Sequence, residues 1–252
     1  MVKKRIVLAL IICMAVPGLL LLGATPGRAA GMSVGVNTWY STWDLEPASG
    51  MSYDSSLMYG PVLGVDWGKK WSITCVLLTA DYKATAEVMG SSFPIHFRRY
   101  DSDTTLNYTV LKWLKVFGGI KYMRYDTRKT GESVPVFGSS DNRHYTYGPG
   151  LGIGLTLPIS DSLFALVNVS GMYLTGRASE NLVENYNLTE TGINTTASIA
   201  FYAESIATTF AIGVRYQYFK SDPDIAGGVT SDLTFYGITF SAVHHFSLGG
   251  KE

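Results

Sequence analysis

Residues 145–157, YTYGPGLGIGLTL, constrain the fold more than any other stretch of the chain. Every second residue belongs to one row: Tyr145, Tyr147, Pro149, Leu151, Ile153, Leu155 and Leu157. The other row reads Thr146, Gly148, Gly150, Gly152, Gly154 and Thr156. Successive side chains of a strand point to opposite faces, so one face here is continuously apolar and the other nearly bare. An apolar face of this kind fits hydrocarbon, and a bare one fits a crowded interior that must admit side chains from the opposite wall. Residues 59–67, YGPVLGVDW, repeat the theme, with Tyr59, Pro61, Leu63, Val65 and Trp67 against Gly60, Val62, Gly64 and Asp66.

Ten strands are expected, at 33–43, 57–67, 71–83, 98–111, 115–126, 144–157, 162–176, 194–202, 206–219 and 233–248. Their connections alternate long (44–56, 84–97, 127–143, 177–193, 220–232) and short (68–70, 112–114, 158–161, 203–205). Lipid-facing strands of about 9–11 residues with alternating polarity are the signature of a transmembrane β-barrel, as are short turns at one end and long loops at the other. An even strand count lets the first and last strands pair antiparallel. The expected fold is therefore all-β, a closed antiparallel transmembrane barrel of about ten strands, with periplasmic turns and extracellular loops. Segment 71–83 is apolar on both parities, so its inward face does not resolve from the sequence, and a bulge is one reading of it.

The first thirty residues stand apart. Lys3, Lys4 and Arg5 precede an apolar run, and small residues surround Gly27, Ala29 and Ala30. This is the pattern of a cleaved secretory signal peptide, 1–30, leaving the barrel at 31–252. The remainder carries sixteen basic and twenty acidic residues. That balance excludes a simple nucleic-acid binder. Cys75 is the one cysteine after residue 30, so no internal disulfide is expected. An exported chain rich in Gly and Tyr, with no later run long enough for a membrane helix, points to the outer membrane of a Gram-negative bacterium. The expected surroundings are outer-membrane lipid and lipopolysaccharide, with the barrel a monomer. A soluble barrel around a ligand cavity is the structural rival, but its outward glycines would weaken a strand and cover nothing.

On these residues the chain resembles the small outer-membrane β-barrel superfamily, which includes OmpA-, OmpX- and OmpW-like proteins. The most specific segment runs from Tyr236 to Phe246, where alternate apolar residues ending at a Phe are similar to the signal read by the outer-membrane assembly machinery. Many members stop at that aromatic, whereas Ser247 to Glu252 follow here. The resemblance implies a structural, surface-interaction or narrow-pore role, and for ten strands also brings in omptin-like proteases.

Inward parity predicts a lumen containing Asn37, Asp66, Arg99, Asp101, Asp103, Asn107, Lys115, Lys121, Asn168, Arg215 and Gln217. Within it, Asp66, Arg99, Asp101, Asp103, Lys115, Lys121 and Arg215 are the expected charged network. Buried charges of both signs must pair, so the leading expectation is a plug of salt bridges, and the alternatives are a narrow polar pore or hydrophobic-solute channel. Barrel size favours the plug, since eight strands leave an interior just filled by side chains and open channels come at about sixteen. Outward loops held on a rigid wall suit surface contacts, and Trp39 and Trp43 either pack the interior or line a small apolar path. For an enzyme, omptin-like or lipid-modifying, the weak catalytic candidates are His144, Asp101, Asp103 and Asp126, near the outer rim with His96 and Asp141. His244 and His245 lie at the opposite end, too isolated for a metal site. No cofactor or metal is expected.

Overall fold

The computed structural model describes residues 30–46, 51–88, 91–128, 143–180, 183–225 and 227–247. Residues 1–29 of the expected signal peptide and Asp141 lie outside them. The strands are β1 (Ala30–Glu46), β2 (Met51–Tyr53), β3 (Ser56–Trp67), β4 (Trp71–Val88), β5 (Ser91–Leu111), β6 (Leu114–Arg128), β7 (Arg143–Pro158), β8 (Leu163–Glu180), β9 (Val183–Ala203), β10 (Thr208–Pro223) and β11 (Ser231–Ser247). A 3-10 turn, Glu204–Ile206, joins β9 to β10. The short β2 pairs with β4 beyond the point where β3 stops, so it prolongs the lane of β3. All neighbouring lanes are antiparallel, and β1 pairs with β11 from Gly31↔Ser247 to Glu46↔Asp232, closing a barrel of ten lanes.

Hydrogen-bonded partners can be followed round the wall. Starting at Ser33 the path runs through Gly64, Thr74, Thr105, Gly119, Gly150, Met172, Gly192, Phe219 and Leu233, and returns to β1 at Leu45, twelve residues further along. Such a stagger tilts the strands by roughly 40°.

The outer face follows the predicted rows. Val36, Ile120, Leu151, Ile212 and Ile238 are exposed, Leu151 at 74%. Exposed Tyr40, Tyr59, Tyr147, Tyr173, Tyr216 and Tyr236 lie toward the long-loop end, and exposed Trp71, Trp113, Phe201 and Phe246 toward the short-turn end. Between these two girdles no described outward residue is charged; charge begins beyond the tyrosines, at Asp44, Asp81, Arg98, Arg124, Arg177 and Lys220. An apolar band edged by amphipathic rings matches a bilayer and its two interfaces.

Inside, the glycine row of β7 admits its neighbours. A Cβ on Gly152 would overlap Phe117, and one on Gly154 would overlap Lys115 and lie 2.6 Å from Asn168 Oδ1. The bare row is therefore the space that these side chains of β6 and β8 occupy.

Three expectations are corrected. Segments 84–97 and 177–193 were expected as long loops, but β4 runs to Val88 and β5 starts at Ser91, while β8 runs to Glu180 and β9 starts at Val183. Past the membrane the outer face meets water while the inner face meets an aromatic cluster. The apolar row of β5 therefore changes sides, with Ile95 and Phe97 inward and Pro94 and His96 outward, although the hydrogen-bond ladder continues. A 21-residue strand at ~3.3 Å per residue and this tilt rises about 50 Å, twice the apolar band of about 25 Å. Secondly, 71–83 has no bulge; its pairing with β3 keeps one register from Tyr59↔Thr79 to Trp67↔Trp71. Leu78, Ala80 and Tyr82 face inward, and the apolar residues of the other parity face lipid. The register shifts occur instead at Thr109/Leu111 and Ala178/Glu180. Finally, the first long connection contains β2.

Leu151→Arg, at the centre of the apolar band, is expected to cost about 2–4 kcal/mol in vesicle-embedded barrel. Gly152→Leu, which overfills the lumen, should cost about 1–3 kcal/mol. Urea unfolding in lipid vesicles, with Thr239→Ser as an inward control of little effect, checks both.

Candidate functional site: the charged layer in the outer half of the lumen

Alternation places Arg99, Asp101 and Asp103 on one face of β5, Lys121 on the inner face of β6, and Arg215 and Gln217 on that of β10. Lys121 Nζ lies 2.6 Å from Asp101 Oδ1 and 3.0 Å from Asp103 Oδ1. Arg99 Nη2 donates to Asp101 Oδ2 at 2.7 Å and to Gln217 Oε1 at 2.8 Å. Arg215 donates from Nη2 to Asp103 Oδ2 at 2.8 Å and from Nε to Asn194 Oδ1 at 2.9 Å. Lanes β5 and β10 are five apart in a ring of ten, which is diametrically opposite. The Arg99–Gln217 and Arg215–Asp103 contacts therefore cross the full width of the lumen.

Aromatic rings pack against this layer. Trp39 is fully buried between two guanidinium groups, with Arg215 at 4.8 Å and Arg99 at 5.5 Å from its ring centre. Arg99 also stacks on Phe235 at 3.8 Å. Cations over ring faces gain most where water is excluded, so the rings offset part of the cost of burying Arg99. Toward the long-loop end, Trp43 stacks on Tyr53 at 4.2 Å and meets Tyr82, Phe97, Tyr125 and Phe235, while Ser41 hydrogen-bonds Tyr82. These residues form the buried apolar cluster of the barrel, with Met58, Leu78, Met123, Leu174, Phe219 and Leu233.

A second polar group stands beside this layer. Glu190 on β9 is fully buried; its Oε2 accepts from Thr146 Oγ1 at 2.7 Å and its Oε1 lies 2.9 Å from His144 Nε2. The imidazole packs edge-on against Tyr125 at 5.3 Å and keeps a quarter of its side chain exposed. A buried carboxylate holding a partly exposed imidazole fixes ring orientation, which is the arrangement a general base requires.

The other predicted residues are dispersed. Asp126 is on the outward parity and pairs with Arg124 at 2.7 Å, away from the lumen. It fails as a partner for His144 because an odd separation from Lys121 turns it to the opposite face. His96 also faces outward. Asp66 and Lys115 face inward near the short-turn end, outside the crossing network: Asp66 is exposed beside His245, and the Lys115 ammonium lies 5.8 Å from the Phe117 ring centre. Asn37, Asn168 and Thr196 line the same half, where walls are polar and half-buried. His244 and His245 hydrogen-bond Thr208 and Thr209. No cluster of three metal-ligating side chains occurs among the described residues. Glu190 was missed because it fell in a presumed loop; stepping back by twos from Ser198 and Asn194 would have placed it inside.

Asp101→Ala, which strips Arg99 and Lys121 of a shared carboxylate, is expected to destabilise by about 3–5 kcal/mol. The double variant Asp101→Ala/Lys121→Met should recover part of that loss, read from unfolding midpoints.

No protein-family model matches the chain, and no curated protein sequence does. Among solved structures, the outer-membrane protease OmpT of Escherichia coli is similar with a TM-score of 0.52 and 11% identity, over 88% of this chain and 98% of that one. The β-domain of the Bordetella autotransporter BrkA gives 0.45 at 12% identity, over 87% and 100%. OprG of Pseudomonas aeruginosa gives 0.39 at 12% identity, over 87% and 96%. At these identities the likeness concerns the fold alone. The likeness to OmpT and the closed wall with its apolar band agree on one architecture, that of an outer-membrane β-barrel.

Proposed function

We propose that this protein resides in the outer membrane of a Gram-negative bacterium and acts as a structural and surface-interaction barrel rather than as an open pore. The observation that carries the reading is the pair of contacts that span the lumen from β5 to β10, roofed by buried aromatic rings. Water and ions meet a layer in which Trp39, Arg99 and Gln217 are fully buried. Strands β4, β5, β8 and β9 continue past the outward charges and carry a rigid wall beyond the membrane, a platform on which contacts with other surfaces can be presented. Lipid and lipopolysaccharide would surround the apolar band, and the alternating residues between Tyr236 and Phe246 on β11 would serve the assembly machinery.

A second reading, hydrolysis at the outer rim, is favoured by the His144–Glu190 contact. In this reading His144 is the base and Glu190 its orienting partner. Asp101 and Asp103 have no part in it, because their oxygens are held by Lys121, Arg99 and Arg215.

Purified barrel in planar bilayers is expected to give no steady conductance. Stable single-channel steps that vanish in Arg215→Ala would overturn the sealed-lumen reading. For the rim, incubation with basic peptides or lipopolysaccharide should leave both intact; cleavage that is lost in His144→Ala and in Glu190→Gln would establish the second reading instead.

A further inference from the structure

The short turns are charged unequally. Lys69 and Lys70 occupy the turn between β3 and β4, and Lys112 the turn between β5 and β6; all three are exposed. The next two turns contain Asp161 and Glu204, also exposed, and no cation. None of the three lysines forms an ion pair among the described residues. Asp66, which precedes the first of these turns, is directed into the lumen, beside Gly31.

Aromatic rings mark the same corner of the barrel. Trp67 and Trp71 pair across β3 and β4 with their rings stacked 6.5 Å apart, and Trp71 pairs in turn with Tyr108 on β5 at 4.7 Å. The Lys70 ammonium lies 5.6 Å from the Tyr108 ring centre. The Lys70 carbonyl accepts from the Thr109 N–H at 2.8 Å, which ties this turn to β5. Lys112 follows shortly after Thr109 and leads into Trp113, which is 47% exposed. Val110 and Leu111, at the register shift of β5, are exposed alongside. Indole and phenol rings settle at the level of lipid headgroups, so lysines just beyond them stand at the level of the phosphates.

We propose that the turns β3–β4 and β5–β6 form a docking surface for an anionic phospholipid in the leaflet at the short-turn end. Lys69, Lys70 and Lys112 take its phosphate, and Trp71, Tyr108 and Trp113 lie against its glycerol and upper acyl chains. The occupant follows from charge and polarity together. A zwitterionic headgroup brings its own cation and gains less from three more. An acidic soluble partner would meet the lysines and leave Val110, Leu111 and Trp113 in water, whereas a lipid covers both. After residue 30 the chain has sixteen basic and twenty acidic residues, so the protein as a whole repels anionic lipid and any preference is local to this corner. The inference rests on the membrane location proposed above.

The five tryptophans make the test direct: Trp39 and Trp43 are buried in the lumen, and Trp67, Trp71 and Trp113 belong to this corner. The full chain is folded into vesicles of mixed phosphatidylglycerol and phosphatidylcholine with identical acyl chains, and tryptophan quenching is compared when one lipid or the other carries brominated chains. One lysine near an anionic surface corresponds to a preference of about fivefold. The wild type is therefore expected to favour phosphatidylglycerol by at least about fivefold at low salt, and less at high salt. Lys69→Gln/Lys70→Gln/Lys112→Gln should reduce the ratio to about one, while Lys83→Gln/Lys220→Gln, at the opposite end, should leave it unchanged. Equal quenching of the wild type by the two lipids, a preference that survives the triple variant, or an equal fall in the control variant would each overturn the proposal and leave the membrane location intact. Absence of quenching by either lipid would overturn the location as well.

Discussion

Hydrocarbon offers no hydrogen bonds, and that one property governs the whole structure. Every peptide group in the apolar band must find its partner within the protein, and a sheet achieves this only by leaving no edge. The pairing of β1 with β11, continuous over the length of both strands, is therefore the interaction on which everything else rests. Closure with a stagger of twelve residues sets strand tilt and barrel width together. Once the width is set, the volume available to inward side chains is also set.

That volume is used differently at its two ends. Near the short turns most inward residues are small or polar, and glycines of β7 yield to Phe117, Lys115 and Asn168. Toward the long loops, rings and charges bury one another across the section. The charges are held where water is scarce because each carboxylate meets two cations and the guanidinium groups lie on aromatic faces. Arginine suits this setting, since it cannot shed its charge and its flat group stacks while it hydrogen-bonds. Beside this layer His144 rests on the buried Glu190, and the strand extensions continue beyond the apolar band.

Much of this was legible along the chain because a strand has a period of two and the two solvents differ. Leu151 and Gly152 are adjacent in sequence and opposite in environment, and no other regular structure would separate them so. The same rule placed Arg99, Asp101, Asp103, Lys121, Arg215 and Gln217 inside. It stopped working where the contrast in solvent stopped. Ser91 to Phe97 and Val183 to Thr191 continue the ladder above the membrane, yet read as loop because water lies outside them and the outward apolar row that marks a lipid-facing strand is missing. Segment 71–83 failed for the opposite reason: both its faces are apolar, one toward lipid and one toward the aromatic cluster around Tyr82. Asp126 shows a lapse rather than a limit, since counting from Lys121 already turns it outward.

Sequence alone therefore determined which residues face lipid and which face the lumen, because alternation within one strand records the polarity of its two sides. It could not say which inward residues meet. Arg99 and Gln217 are separated by 118 positions, and their contact depends on register accumulated over five lanes. Only the closed barrel decided that β5 stands opposite β10, that Asp103 reaches Arg215 across the lumen, and that Glu190 comes to rest beside His144. Register is a sum of pairings around the ring, and no single strand contains that sum.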